Sequence, residues 1–159
     1  MILTYMTAEA GIYAREFPAL GCYVQVGVAG GKILRLSFPK EPDEEASEDN
    51  HVVFDCIERY LEGDRETFRD IEIALTVPTD QRKVLEQVRK IPYGTTISAD
   101  SLASQVPGLE SDSGEDINHI RQTLATNPIP LVIPSHRVAN TPGPVSDEIQ
   151  RRFQAIERQ

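Results

Sequence analysis

A chain of 159 residues can bury a real core, as one domain or two small ones. Hydrophobic content of 40% is ordinary for a soluble protein, and no apolar run approaches the length needed for a membrane-spanning helix. A formal charge of −9 disfavours nucleic acid as a partner, because affinity for phosphates rests on Lys and Arg. Lysine is confined to Lys32, Lys40, Lys83 and Lys90, while arginine is three times as common. Scarce lysine and abundant Asp and Glu suit a halophilic protein, whose acidic surface stays hydrated in a very salty cytoplasm.

The first residues, MILTYMTAEA, lack the basic start and cleavage site of a signal peptide. Cys22 and Cys56 are isolated, without C-x-x-C spacing, so neither a zinc site nor a disulfide framework is implied. The expectation is a reduced, cytoplasmic protein with no metal and no cofactor. GIYAREFPALGCYVQVGVAGGKILRLSF reads as strands, with Ala29-Gly30-Gly31 supplying a hairpin turn. KEPDEEASEDN follows as a solvated acidic loop. HVVFDCIERYLEGD has helical spacing, with Val53, Cys56, Ile57, Tyr60 and Leu61 on one face and Gly63 as the stop. DIEIALTV is expected to be a further strand of the same sheet.

The texture changes at Pro78. TDQRKVLEQVRKI predicts a helix capped by Thr79, burying Val84, Leu85, Val88 and Ile91. IPYGT is a turn, Ser98 caps a short helix over 98–105, GLESDSGED is an acidic loop, and a second helix covers about 116–126. NPIPLVIP is expected to be extended, and SDEIQRRFQAIERQ to form a tail helix. Two short helices across a Gly-containing loop make a helix-turn-helix candidate.

The stretch IPSHRV, residues 133–138, sets a hydroxyl, an imidazole and a guanidinium in a row after the apolar run Ile129 to Ile133. Taken alone it is explained by a turn, with Pro134 ending a strand and His136 and Arg137 facing water.

Its surroundings point elsewhere. DIEIALTVPTDQRKVLEQVRKIPYGTTIS followed by NPIPLVIPSHRV resembles the O6-alkylguanine-DNA alkyltransferases, also called methylated-DNA–protein-cysteine methyltransferases. That family carries I-P-Y-G-E-T and, at its acceptor, N-P-x-P-x-x-x-P-C-H-R-V. The resemblance covers about residues 78–158 and implies an α/β plus α protein. A small sheet-and-helix domain of ribonuclease H-like type (1–77) would precede a helical, winged helix-turn-helix alkyltransferase domain (78–159). Family members enter the minor groove, fill the gap with an arginine, flip the damaged base, and take its alkyl group irreversibly on a cysteine thiolate.

Carried over by position, the acceptor is Ser135 and its neighbour His136, with Asn127 as the structural asparagine and Glu157 as the partner of His136. Thr96, Asn118, His119, Arg121 and Arg137 would stand nearest nucleic acid. Several positions depart from the pattern. The arginine finger falls on Asn118, the nucleotide-rotating tyrosine on Ala99, and the Y-x-G-G pocket loop is missing between PGPVS and the tail helix. The inter-helix loop gains Glu110, Asp112, Glu115 and Asp116, which oppose phosphates. Because so many parts are lost together, the serine is read as natural rather than as a single introduced change.

The implied protein keeps the fold without alkyl transfer, a pseudoenzyme with Ser135, His136, Asn127 and Glu157 as a vestigial network. Its partner would be double-stranded DNA or alkylated guanine, bound weakly, with Arg121 as a displaced finger or merely a solvated helix residue. A repair partner is not identifiable and no membrane is involved. The alternative is a protein-interaction module that has lost DNA binding. Hydrolysis by Ser135, His136 and Glu157 is disfavoured, since adjacent residues of an extended chain point to opposite sides.

Overall fold

The computed structural model describes residues 10–158. The residues before Ala10, where no signal-peptide pattern is seen, lie outside that range. The chain divides between Thr76 and Val77 into two compact units.

In the first unit, β1 (Ala10–Phe17), β2 (Cys22–Ala29) and β3 (Lys32–Ser37) form an antiparallel sheet in the order β1-β2-β3. β2 alternates without a break, burying Cys22, Val24, Val26 and Val28 and turning Tyr23, Gln25 and Gly27 outward, as a half-buried central strand should. The hairpin after it turns on Gly30 and Gly31, both at positive φ (60° and 77°). That conformation matches strand twist and is open to glycine without a Cβ clash. Helix α1 (Val52–Leu61) buries Val53, Phe54, Cys56, Ile57 and Tyr60, while Leu61 is only half-buried. The Phe17 and Phe54 rings meet at 6.2 Å, joining sheet and helix.

One expectation for this unit is corrected. DIEIALTV does not run as a strand. It contributes one parallel bridge, Ile33 to Ile73, with Ile33 donating to the Glu72 carbonyl and Ala74 to that of Ile33. The acidic loop is solvated as expected, with residues 41–45 and 48–50 exposed, but it is not unanchored. Ala14 donates to the Ser47 carbonyl and Ser47 to that of Ile12, so the loop covers the open edge of β1 by backbone pairing that needs no apolar anchor.

The second unit is helical: α2 (Thr79–Arg89), α3 (Ala99–Gln105), α4 (Gly114–Ala125) and α5 (Asp147–Glu157). The first three pack on one another. Their shared core holds Val84, Leu85 and Val88, then Leu102 and Ala103, then Ile120 and Leu124. Thr79 is not the cap of α2. Pro78 holds that position without a side-chain bond, and Thr79 is the first helical residue.

Ser98 does cap α3, accepting from the Ser101 N–H at 3.2 Å. α4 begins two residues before the expected boundary because Ser113 accepts from the Asp116 N–H at 3.2 Å. The Asp116 carboxylate reaches back to the Glu110 N–H at 2.9 Å. Part of the acidic loop is therefore helix N-terminus, where carboxylates stabilise. No described helix is long and apolar enough to cross a membrane.

Candidate functional site

The segment after α4 is a compact buried turn, not the extended strand expected. Ile133 donates to the Ile129 carbonyl at 2.9 Å, and Leu131, only 1% exposed, sits at φ 75°. A left-handed leucine costs about 1–3 kcal/mol and persists only if its surroundings hold it. Asn127 supplies that hold. Its Oδ1 accepts from the Ile129 N–H at 3.0 Å, and its Nδ2 donates to the Ile133 carbonyl at 2.8 Å and toward Ser135 Oγ at 3.3 Å. One buried amide thus closes the turn at both ends and aims the next residue. The role needs both a donor and an acceptor, which asparagine carries on one short side chain.

Ser135–Arg137 then make a single 3-10 turn, with Val138 donating to the Ser135 carbonyl at 3.1 Å. All three residues are buried, which overturns the solvated-turn reading of the S-H-R triplet. It also removes the geometric premise against hydrolysis, since the backbone here is not extended. The turn is tied forward as well. Ile97 donates to the Arg137 carbonyl at 2.9 Å, and Ala139 returns a bond to Ile97 at 2.7 Å. Ile97 immediately precedes the cap of α3, so the Ser135 turn and the first helix of the pair share a backbone bridge.

α5 closes the site from the other side. Ser146 caps it, accepting from the Ile149 N–H, and its inward face brings Phe153, Gln154 and Glu157 to the turn. The Phe153 and His136 rings lie 5.3 Å apart, and Gln154 Nε2 donates to the His136 carbonyl at 3.1 Å. Glu157 carries a charge of the wrong sign for the C-terminal end of a helix, and tertiary partners compensate it. His136 Nε2 stands 2.5 Å from Oε2. Arg137 Nε donates to Oε1 at 2.8 Å and Nη2 to Oε2 at 3.1 Å, and the Gly94 N–H reaches Oε1 at 3.0 Å. The Glu157 side chain is 5% exposed.

Burial holds His136 below its ordinary titration range, with Arg137 acting in the same direction and Glu157 opposing both. Among the described residues, no buried side-chain N or O lacks a hydrogen-bond partner. Ser135, His136, Asn127 and Glu157 are thus brought into one buried cluster.

The residues expected beside nucleic acid are distributed differently. Arg137 is interior, and its Nη1 donates to the Ile91 carbonyl at 2.7 Å. Thr96, Asn118 and Arg121 are exposed. Asn118 and Arg121 lie three residues apart on α4 and share a face, and Glu115, also exposed, stands one turn before Asn118 on that same face. His119 leans the other way, its Nε2 3.4 Å from the Asp80 carbonyl and 3.8 Å from the Asp80 carboxylate. Ala99 is buried as the first residue of α3.

The sequence assigns Gly94, Tyr93, Phe153 and Gln154 no role at the site, although Tyr93 and Gly94 lie within the IPYGT motif. The spacing of Phe153 and Glu157 at i and i+4 on the tail helix is a signal that pointed to the first. Backbone donors such as Gly94 leave none. Among the described residues, no three His, Cys, Asp or Glu side chains cluster as a metal site would require.

The family model described as 6-O-methylguanine DNA methyltransferase, DNA binding domain, matches residues 79–159. A methylated-DNA–protein-cysteine methyltransferase of Metallosphaera sedula is 32% identical over 109 residues, 67% of this chain and 65% of that protein. The chain therefore matches just under two thirds of that relative's length. A DNA base-flipping protein of Thermus thermophilus is 27% identical over 67% of each chain. Among solved structures, the Mycobacterium tuberculosis OGT in complex with DNA superposes with a TM-score of 0.73 at 21% identity, over 93% of this chain and 92% of that one.

Proposed function

This chain belongs to the 6-O-methylguanine DNA methyltransferase family, whose fold is one of DNA binding and repair, and we propose that it is a member that does not accept alkyl groups. The observation that carries this reading is the absence of a thiol from the buried cluster. Ser135 occupies the position of the family's acceptor cysteine. Both cysteines of the chain, Cys22 and Cys56, belong to the first unit. A serine hydroxyl is a weak, hard nucleophile without strong activation. Here its oxygen accepts from the Asn127 amide at 3.3 Å, a bond that lowers rather than raises its nucleophilicity.

On this reading the second unit is a DNA-binding domain that meets duplex DNA weakly through the minor groove. It has little preference for alkylated guanine, because Asn118 takes the place of the finger and the pocket loop is missing. The exposed surface of α4 offers Arg121 but also Glu115, so the charge it would present to phosphates is mixed in sign.

A second reading is favoured by those carboxylates. Glu110, Asp112 and Glu115 are all exposed around the start of α4, and a protein-interaction module could keep them where a DNA reader would lose them. Two measurements divide the readings. Intact mass after incubation with O6-benzylguanine is expected to stay unchanged, and a stoichiometric gain of one benzyl group on Ser135 would end the no-transfer reading. Titration into duplexes with and without O6-methylguanine, across a salt series, separates weak DNA binding from none. A salt-independent null isotherm favours the interaction module.

A further inference from the structure

Arg137 is a charged member of the buried cluster to which the proposed function gives no task. Its sequence position suggests contact with nucleic acid, yet the side chain is 8% exposed and its guanidinium is fully engaged inside. Nε and Nη2 grip the two oxygens of Glu157, and Nη1 holds the Ile91 carbonyl. The guanidinium carbon lies 5.7 Å from the centre of the Tyr93 ring. The fork of a guanidinium matches a carboxylate with two parallel bonds and still has a third donor to spend, which an ammonium cannot do in a fixed plane.

We infer that Arg137 is the positioning residue of this site: it is the permanent counter-ion of Glu157, leaving His136 beside the carboxylate as a neutral imidazole that donates through Nε2–H. The charge balance supports this. A carboxylate receiving Arg137 Nε, Arg137 Nη2 and the Gly94 N–H is already stabilised as an anion, without a second cation. Charged groups facing His136 include Glu157 from α5 and Arg137 from its own turn. Phe153 and Gln154, the other α5 residues on it, are neutral. Burial penalises a second cation there, and Arg137 repels it, so the ring gains less from Glu157 than it would lose by charging.

Arg137 therefore acts on the imidazole through Glu157. It also pins the turn at Ile91–Gly94 to the Ser135 turn. The inference holds whether or not Ser135 accepts an alkyl group, because no step of it involves the serine.

Ring-nitrogen NMR shifts of the full chain test it, with His136 assigned among the three histidines by comparison with His136→Gln. In the native protein His136 is expected to be the neutral Nε2–H tautomer at neutral pH. In Arg137→Gln, Glu157 has lost its counter-ion, and the His136 midpoint is expected to shift upward toward the imidazolium. Arg137→Lys keeps the cation and should leave the ring neutral despite losing the fork. A ring whose tautomer and midpoint are the same in Arg137→Gln as in the native chain would overturn the inference and leave Arg137 a mere staple. Should Arg137→Gln fail to fold, the native spectrum decides: a neutral Nε2–H ring supports the inference, and an imidazolium at neutral pH overturns it.

Discussion

Replacing Glu157 with alanine strands a buried cation. Arg137, 8% exposed, would keep only the Ile91 carbonyl, while His136 and the Gly94 N–H would lose the acceptor they share. Removing one partner of a buried ion pair costs about 3–5 kcal/mol, because the survivor is left uncompensated. A domain stable by roughly 5–15 kcal/mol would lose a large fraction of that reserve. Glu157→Gln keeps one oxygen acceptor but loses the charge and sets an amide NH2 where the second oxygen accepts, so it too should destabilise, by about 1.5–3 kcal/mol or more. Pairing Glu157→Ala with Arg137→Met removes the stranded charge and should cost less than the two single changes summed, the signature of coupled groups.

Urea unfolding followed by far-UV circular dichroism suits a chain with no tryptophan. With two compact units, the transition that shifts must be fitted on its own. If Glu157→Ala unfolds at the native midpoint, or the two changes simply add, Glu157 is not the hub of this site and the account of α5 docking is wrong.

Three further outcomes are expected. Ser135→Cys supplies a thiol but, on the proposed reading, neither the finger nor the pocket loop, so intact mass should show no efficient transfer from methylated duplex; rapid stoichiometric methylation would refute the view that those parts are required. Arg121→Ala should leave duplex affinity and its salt slope nearly unchanged. A native preference for O6-methylguanine of ~10-fold, about 1.4 kcal/mol, that vanishes in this variant would instead make Arg121 a displaced finger.

The third outcome concerns pH. His51 caps α1 by accepting from the Val53 N–H through Nδ1 at 3.0 Å, and burial holds its pKa below the ordinary value of 6.5. Only the neutral ring can cap. Its contribution is therefore complete above the unfolded value and is lost as pH falls from there through the folded one. Thermal unfolding at mildly acidic pH should show a loss in the native chain that is smaller in His51→Asn, whose amide caps without titrating. His136 is displaced in the same direction, so it is the difference between the two proteins that isolates His51. Equal losses in both would remove the cap from the explanation.

Local physics, which needs no knowledge of distant contacts, was written in the sequence. Alternation in β2, two glycines at the hairpin, helical spacing in α1 and α2, and serines at the starts of α3 and α5 each follow from a few neighbouring residues. The resemblance carried by IPYGT and NPIPLVIPSHRV then led to Asn127, Ser135, His136 and Glu157 before any contact among them was visible. What it could not decide was where those side chains spend their bonds. NPIPLVIP has the composition of a strand, and only the Asn127 amide, bonding at both ends, bends it into a turn with Leu131 left-handed. Arg137 carries the same charge on the surface or in the core. It is interior because Glu157, 20 residues along the chain, arrives on α5 and offers both carboxylate oxygens to the guanidinium. DIEIALTV has strand propensity, but pairs only where the edge of β3 presents Ile33. In each case the outcome turns on satisfying buried polar groups with partners distant in sequence, a condition that no local pattern of residues encodes.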